Sequence, residues 1–201
     1  MSDNLKESSI EKQTINILVM VCGSVASIKL PLLLDQLKEM VIKTKQEVDI
    51  RVVTTEPALH FFDLQQISQT FVVYRDSDEW TQWTQMGDEV LHIELRKWAT
   101  IGVIAPIDAN TSAKISVGMC DNLLTCVVRA WDLNKPLLFC PAMNVHMWSH
   151  PITDRNMEVL QSFGYIKVGP ISKRLACGDL GMGAMAEVTH IVQEVKKALN
   201  L

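Results

Sequence analysis

The chain lacks an excess of positive charge. Its 201 residues hold 19 Lys and Arg against 23 Asp and Glu, a net charge of −4 at pH 7, and the basic residues form no stripe. Proteins that bind nucleic acid usually carry a basic excess, so we expect no nucleic-acid partner. The length fits a single domain with a sizeable core.

Segments that direct a chain to a membrane are also missing. Residues 1–13 are polar and have no apolar h-region, so we expect a disordered tail there and no secretion. No apolar run approaches the roughly 20 residues that span a bilayer, so we expect no membrane partner. The five cysteines form no C-x-x-C pair. An odd count without a signal peptide indicates a reducing compartment and a cytoplasmic protein.

The glycine fingerprints of dinucleotide-binding and P-loop proteins do not occur. Instead, Gly23-Ser24 separates an apolar run, residues 15–22, from a helical pattern over residues 25–44. A strand, a turn and a helix in this order direct backbone N–H groups and the helix dipole towards an anion. The turn is therefore a candidate phosphate site.

Apolar runs alternate with helical patterns along the rest of the chain. Further strands are predicted over residues 48–54, 71–74, 101–105 (stopped by Pro106), 137–140 and 165–168. Helices are predicted over residues 108–118, 122–131, 153–163 and 187–201, and a glycine-rich loop over residues 169–183. This alternation implies an α/β fold, a three-layer doubly wound parallel sheet, with one domain over residues 14–201.

Small polar residues follow two more of the predicted strands. Thr54 and Thr55 end one, and Asp108-Ala109-Asn110-Thr111 follows another. Since the carboxyl ends of parallel strands share one edge, three such turns suit a mononucleotide such as FMN. Ordinary turn and helix-cap chemistry explains the same residues equally well.

The segment Pro141-Ala142-Met143-Asn144-Val145-His146-Met147-Trp148 comes directly behind an apolar strand. It places the Asn144 amide and two thioethers where a ligand would lie. The alternatives are a helix N-cap for Asn144 and core packing for Met143 and Met147.

Two further residues are candidates for proton transfer. His92 lies in an amphipathic segment, and Cys177 lies in the glycine-rich loop. A neutral imidazole can accept a proton near neutral pH, and a loop thiol is more exposed than a strand-end thiol. A surface histidine and an incidental cysteine are the alternatives. The acidic run over residues 76–80 is interpreted as a solvated surface anchored by Trp80.

Taken in order, these segments resemble the homo-oligomeric flavin-containing cysteine decarboxylase family over about residues 15–195. The similarity is carried by Gly23-Ser24-Val25-Ala26, Leu91-His92-Ile93-Glu94-Leu95-Arg96, Ala105-Pro106 with Asp108 to Thr111, Cys120-Asp121-Asn122-Leu123-Leu124, Pro141 to Asn144 with Met147-Trp148, and Ala176-Cys177-Gly178. Each motif alone is weak, whereas the ordered set is specific.

The resemblance implies a Rossmann-like or flavodoxin-like flavoprotein that forms a homotrimer with FMN near the subunit interfaces. The implied reaction is decarboxylation of 4′-phosphopantothenoylcysteine to 4′-phosphopantetheine in coenzyme A biosynthesis. In this implied mechanism FMN first oxidises the cysteine moiety to a thioaldehyde, CO2 then leaves, and FMNH2 reduces the resulting enethiolate. A flavin is needed because an unactivated carboxylate has nowhere to place those electrons.

The resemblance also implies a role for each candidate residue. His92 corresponds to the base, Asn144 to the group that holds the substrate carboxylate, and Cys177 to the proton donor. The implied substrate contacts are Asn144, Met147, Arg174, Leu175 and Ala176, of which the last three lie in a covering flap. The implied FMN contacts are Gly23, Ser24, Val25, Thr54, Thr55, Asp108, Ala109, Asn110, Thr111 and Ala142, and no metal is implied.

Some positions depart from the family pattern, and two alternatives stay open. Thr100 stands where an aspartate is common, Asp108 where some members have serine, and Glu56 where others have serine, which argues against a phosphate contact by Glu56. One alternative is a related FMN protein, a flavin prenyltransferase or a peptidyl-cysteine decarboxylase. The other is a regulatory phosphatase-inhibitor subunit, which the expected lack of a long acidic extension disfavours.

Overall fold

The structure, a computed structural model, describes residues 14–40, 46–174, 178 and 180–201. Within these ranges the strands are β1 Thr14–Val21, β2 Glu47–Thr54, β3 Val72–Tyr74, β4 Ile101–Ile107, β5 Leu137–Pro141, β6 Ile166–Lys167, β7 Ile171–Arg174 and β8 Leu180–Ala184. The α-helices are α1 Leu30–Glu39, α2 Leu64–Ser68, α3 Asp76–Gln82, α4 Leu91–Trp98, α5 Ala109–Ser116, α6 Leu123–Arg129, α7 Val145–Trp148, α8 Pro151–Ser162 and α9 Val188–Ala198. Residues 1–13, predicted to be a disordered tail, lie outside the described residues.

Six strands form one parallel sheet in the order β3-β2-β1-β4-β5-β6. The chain starts at the centre with β1, moves outwards to β3, and returns to the other side of β1 with β4. The two central strands therefore mark the point where the winding direction changes, and in such sheets a crevice opens beyond their carboxyl ends. The predicted doubly wound parallel sheet is confirmed.

Both faces of the sheet are covered, which explains why its central strands are almost continuously apolar. In β1, Ile17 and Val19 face the layer that contains α1 and α9. Leu18 and Met20 face the layer that contains α4, α5, α6 and α8. These four side chains are fully buried. Helix, sheet and helix thus give the three expected layers.

Three predicted segments differ from the structure in extent or type. Pro106 does not stop β4, because the strand shifts its register against β5 after Ile104 and pairs again at Ile107. The segment over residues 169–183 is not only a loop, since β7 and β8 pair in an antiparallel hairpin. The helical pattern over residues 25–44 begins as a 3-10 turn, Val25–Lys29, before α1 starts with Pro31 in its first turn.

We find no helix, in the portion of the chain that the structure describes, with the length and apolar character needed to cross a membrane.

Candidate active site

The carboxyl ends of the four central strands are tied together at one edge of the sheet. The Thr55 N–H donates to the Val21 carbonyl at 3.1 Å, which joins the end of β2 to that of β1. The Ala142 N–H donates to the Ile107 carbonyl at 2.9 Å, which joins β5 to β4. The polar turns that the sequence places after these strands therefore lie along a common edge.

The Gly23-Ser24 turn makes a close backbone approach at this edge. A Cβ atom at Gly23 would lie 2.7 Å from the Pro57 Cβ. Only glycine therefore fits here without displacing the turn that follows β2. The Ser24 hydroxyl lies 3.5 Å from the Ala142 carbonyl and 3.4 Å from the Ala26 N–H. Ser24 thus spans the gap between the ends of β1 and β5.

Two threonine side chains end β2 in buried positions. The Thr54 hydroxyl donates to the Thr55 carbonyl at 3.1 Å. The Thr55 hydroxyl oxygen is buried and has no hydrogen-bond partner among the described residues. Since an unsatisfied buried hydroxyl costs about 1–3 kcal/mol, this position is suited to a polar ligand atom.

The turn after β4 caps a helix, as predicted from Asp108. Asp108 Oδ1 accepts the Thr111 N–H at 2.6 Å at the start of α5. The Cys22 thiol at the end of β1 lies against this turn, 3.1 Å from the Asp108 N–H, and burial raises its pKa well above the ordinary value. Thr111 is buried, whereas Asn110 is exposed.

A cavity of about 360 Å³ opens at the same edge. Its lining comes from three segments that are distant in the sequence, and includes Ser24, Val25 and Lys29 after β1, Ala142, Met143 and Asn144 after β5, and Lys173, Arg174 and Gly183 from the β7–β8 hairpin. The structure therefore brings the Gly23-Ser24 turn, the Asn144 segment and the hairpin together around one space.

The hairpin is held directly on the Asn144 segment. The Met143 N–H donates to the Gly183 carbonyl at 2.9 Å. Gly183 has φ +140°, and a Cβ there would collide with the Met143 carbonyl oxygen. Asn144 Oδ1 accepts the His146 N–H at 2.8 Å and so caps α7, while the Met147 side chain is half exposed. The N-cap interpretation of Asn144 is confirmed.

Basic side chains line the mouth of the cavity. Lys29, Lys173 and Arg174 come from the turn after β1 and from β7. Glu187, at the start of α9, contacts Lys29 at 3.1 Å and Lys173 at 3.3 Å, and hydrogen bonds from these two ammonium groups lower the pKa of its carboxyl. With three cations and one nearby carboxylate, the mouth is suited to an anionic ligand.

His92 lies at a second position, in the first turn of α4. Its Nδ1 is 2.6 Å from Glu79 Oε1, and its backbone N–H donates to Glu79 Oε2 at 3.2 Å. The interpretation of residues 76–80 was wrong, because Trp80 is 81% exposed and Glu79 is the inward-facing residue. Nothing in the local sequence pattern could have identified Glu79, since its partner lies in the next helix.

The described residues that line the cavity do not include His92. Leu175, Ala176 and Cys177 lie outside the described residues, next to Arg174, whose Nε donates to the Gly178 carbonyl at 3.3 Å. Among the residues that the structure describes, no three His, Cys, Asp or Glu side chains are close enough together to hold a metal ion.

A doubly wound parallel sheet with polar turns around a cavity at its switch point is typical of mononucleotide-binding α/β proteins. The family described as Flavoprotein matches residues 5–200 of this chain. The chain therefore belongs to the flavoprotein family.

Named relatives and solved structures agree with this assignment. The chain is 51% identical over 190 residues to phosphopantothenoylcysteine decarboxylase of Mus musculus, covering 94% of this chain and 90% of that protein. It is 50% identical over 182 residues to the enzyme of the same name from Oryza sativa subsp. japonica, covering 90% and 80%. A solved mutant of PPC decarboxylase in complex with pantothenoylaminoethenethiol matches with TM-score 0.85 and 44% identity, over 94% of this chain and all of that chain. The resemblance to the cysteine decarboxylases is confirmed.

Proposed function

We propose that this protein decarboxylates 4′-phosphopantothenoylcysteine to 4′-phosphopantetheine, with FMN as cofactor, in coenzyme A biosynthesis. The observation that carries this proposal is one cavity, lined by described residues, on which three separate segments converge, around Ser24, Asn144 and Arg174. Relatives that carry this enzyme's name match almost the whole chain at about 50% identity. A solved neighbour described as an FMN-binding protein, with TM-score 0.79 and 47% identity, covers 92% of this chain and 96% of that one.

The residues at the carboxyl edge of the sheet fit an FMN molecule. The buried Thr55 hydroxyl, which has no partner among the described residues, would gain one from a phosphate oxygen. The residues that would hold the cofactor are Gly23, Ser24, Val25, Thr54, Thr55, Asp108, Ala109, Asn110, Thr111 and Ala142. Bound FMN supplies an acceptor and then a donor of two electrons, so the reaction has no net redox change.

Substrate binding is assigned to the other side of the cavity. An amide such as that of Asn144 can donate to the substrate carboxylate, and the half-exposed Met147 would contact the apolar part of the substrate. Arg174, Leu175 and Ala176 would cover the bound substrate, which excludes water from the reacting atoms. The substrate phosphate would be attracted to the basic mouth formed by Lys29 and Lys173.

Proton transfer is assigned to His92 and Cys177. His92 would accept a proton from the cysteine moiety of the substrate during its oxidation. Cys177 would return a proton during the later reduction of the decarboxylated product. The carboxylate is lost between these two steps, when the electron pair left behind can delocalise towards sulfur.

A homotrimer and a single catalytic domain over residues 14–201 complete the proposal, together with a cytoplasmic location. In the trimer, His92 of one subunit would approach the cavity of another, since His92 is not among the described lining residues of its own cavity. Exposed apolar side chains around α5, α6 and α8 support an interface; they are Val117, Met119, Leu133 and Phe163. Light scattering at working concentration tests the assembly, and a monomer mass would contradict it.

The decisive experiment is an anaerobic incubation of FMN-loaded protein with 4′-phosphopantothenoylcysteine, followed by detection of the product by mass. We expect loss of CO2 and formation of 4′-phosphopantetheine. Folded protein that shows no bound-flavin absorbance, or flavin-loaded protein that forms no product, would contradict the proposal.

Two variants test the assigned roles in the same assay. We expect His92→Asn to stop the first oxidation, and Cys177→Ser to accumulate an oxidised, decarboxylated intermediate. Normal turnover in either variant would refute the role of that residue while leaving the overall reaction in place.

A further inference from the structure

The orientation of two neighbouring side chains in α3 is the reverse of what their chemistry favours. Trp80 is 81% exposed, while the Glu79 side chain is only 12% exposed. A surface helix normally buries its indole and solvates its carboxylate, because removing a charge from water is costly unless it is paired. The inward position of Glu79 therefore requires a specific partner.

That partner is His92, which Glu79 contacts through both carboxylate oxygens. Oε2 accepts the His92 backbone N–H at 3.2 Å, in the first turn of α4. Val90, the N-cap residue of this helix, makes no side-chain capping bond, so Glu79 supplies the cap from a neighbouring helix. A negative charge at this end is also favoured by the helix dipole.

The second oxygen fixes the imidazole ring. Glu79 Oε1 lies 2.6 Å from His92 Nδ1. A carboxylate can only accept hydrogen bonds, so the proton of the neutral ring lies on Nδ1 and the lone pair lies on Nε2. The backbone contact and the ring contact share one carboxylate, which fixes the ring relative to the start of α4.

A thiol on a neighbouring helix lies close to this pair and does not compete with Glu79 for the ring. Cys126 on α6 lies close to Glu79, with Cys120 and Asp121 in the preceding segment. Burial, and after it the charges of Cys120 and Glu79, raise the pKa of the Cys126 thiol to about 11, so this thiol stays neutral at physiological pH. Glu79 is therefore the anionic partner that faces the His92 ring on Nδ1.

We propose that Glu79 is the positioning residue of the reaction: it holds His92 in the tautomer whose Nε2 accepts the substrate proton. The proton then resides on Nε2, and the imidazolium is stabilised by the carboxylate at Nδ1. This inference rests on the proposed role of His92 as the base. It adds a residue that sequence motifs did not indicate.

The test compares Glu79→Gln with Asp78→Asn, a matched acid-to-amide change in the same helix whose carboxylate accepts the Arg75 N–H instead. In FMN-loaded protein we expect Glu79→Gln to lower kcat by about 10- to 100-fold with little change in KM, because the amide can also stabilise the other tautomer. Asp78→Asn should retain wild-type kcat. Glu79→Asp keeps the charge on a shorter side chain and should recover part of the loss.

Loss of a helix cap alone would not change the tautomer of His92, so this tautomer is the readout that tests the positioning role. Nitrogen NMR of histidine-labelled protein, with His92→Asn for assignment, should show a protonated Nδ1 and an unprotonated Nε2 at His92 in the wild type. Glu79→Gln should shift this population towards protonated Nε2. A wild-type His92 protonated on Nε2 overturns the proposal even if the variants do not fold.

The kinetic outcomes separate this inference from the proposed function. Wild-type turnover in Glu79→Gln combined with an inactive His92→Asn would reject Glu79 and keep the base. Wild-type turnover in both variants would reject His92 itself, and no turnover in the wild type would reject the reaction. If Glu79→Gln lowers stability but leaves kcat and the His92 tautomer unchanged, Glu79 acts only as a helix cap, and the proposal is overturned.

Discussion

Asp76 is a carboxylate that the fold partly removes from water while it caps another helix. Its Oδ1 accepts the Leu123 N–H at 2.9 Å, at the start of α6. That hydrogen bond lowers the pKa of Asp76, but burial raises it more, so the net pKa lies above the ordinary 3.8. The charged form is therefore less favourable in the folded chain than in the unfolded chain.

A raised carboxyl pKa has a defined effect on stability. The folded state binds more protons than the unfolded state as pH rises from 3.8 through the folded pKa, so this group lowers the unfolding free energy across that window. Asp76→Asn keeps an oxygen acceptor for Leu123 and removes the charge. In this variant we expect the unfolding free energy no longer to fall on account of this group as pH rises through that window. Urea unfolding at a series of pH values measures the change.

Asp132→Asn provides the control of opposite sign. Hydrogen bonds from the backbone and side chain of Asn134 lower the Asp132 pKa, so its stabilising contribution is present above 3.8 and disappears as pH falls through the folded pKa. Asp132→Asn should therefore remove the loss of stability that this group causes in the wild type at acidic pH. Equal pH dependence in wild type, Asp76→Asn and Asp132→Asn would contradict both assignments.

At the scale of single elements, α4 depends on a lysine from outside the helix. Lys135 Nζ donates to the carbonyls of Arg96, Lys97 and Ala99 at 3.0, 2.8 and 2.6 Å. These carbonyls belong to the last turn of α4, where a cation also interacts favourably with the helix dipole. Burial lowers the pKa of this ammonium group, and the three hydrogen bonds compensate for its desolvation.

Lys135→Met keeps the aliphatic stem and removes the three hydrogen bonds. We expect the unfolding free energy to fall by about 1–3 kcal/mol, since the partly buried carbonyls of Arg96 and Ala99 lose a charged donor. Lys97→Met is the control because it removes only an exposed pair with Glu94, worth about 0.2–1 kcal/mol. Urea midpoints measure both changes, and equal losses would show that Lys135 is an ordinary surface lysine.

The β7–β8 hairpin depends on Gly183, where φ is +140° and a side chain would meet the Met143 carbonyl. Gly183→Ala should displace the hairpin from the Asn144 segment, because both the backbone angle and the close approach exclude a Cβ. The strain is about 1–3 kcal/mol, so we expect KM for the substrate to rise by roughly an order of magnitude. Gly169→Ala, where a Cβ has open space, should leave KM unchanged.

At the scale of the whole molecule, local sequence patterns predicted most elements but not how distant segments meet. Apolar runs and the cap at Asp108 act within a few residues, and the structure confirms this cap. The continuation of β4 past Pro106 depends on pairing with β5, and the hairpin depends on contact with Met143. Both contacts join residues more than thirty positions apart, and neither leaves a periodic pattern.

The candidate site shows the same division between local and tertiary information. Motif order placed Ser24 and Asn144 at one edge of the sheet, and the cavity brings both together. Glu79 was missed because its burial results from packing of α3 against α4, which residue composition does not encode. The basic mouth was missed because its lysines come from separate elements and join only through Glu187.

Folding concentrates positive charge at the mouth of the cavity although the chain as a whole is negatively charged. The chain carries a net charge of −4, but Lys29, Lys173 and Arg174 gather at the cavity mouth. An anionic substrate is then attracted locally although the whole protein is acidic. We expect kcat/KM for 4′-phosphopantothenoylcysteine to fall several-fold between low salt and about 0.5 M salt, since screening shortens the Debye length below about 10 Å.

Lys173→Met should lower kcat/KM several-fold and weaken the salt dependence, because the phosphate loses one cation at the mouth. Pantothenoylcysteine, which lacks the phosphate, should show a smaller response to both changes. Lys197→Met removes the same charge from the far end of α9, where the lysine pairs with Glu194, and should match the wild type. Equal effects of Lys173→Met and Lys197→Met, or equal effects on the two substrates, would show that net charge and not the basic mouth attracts the substrate.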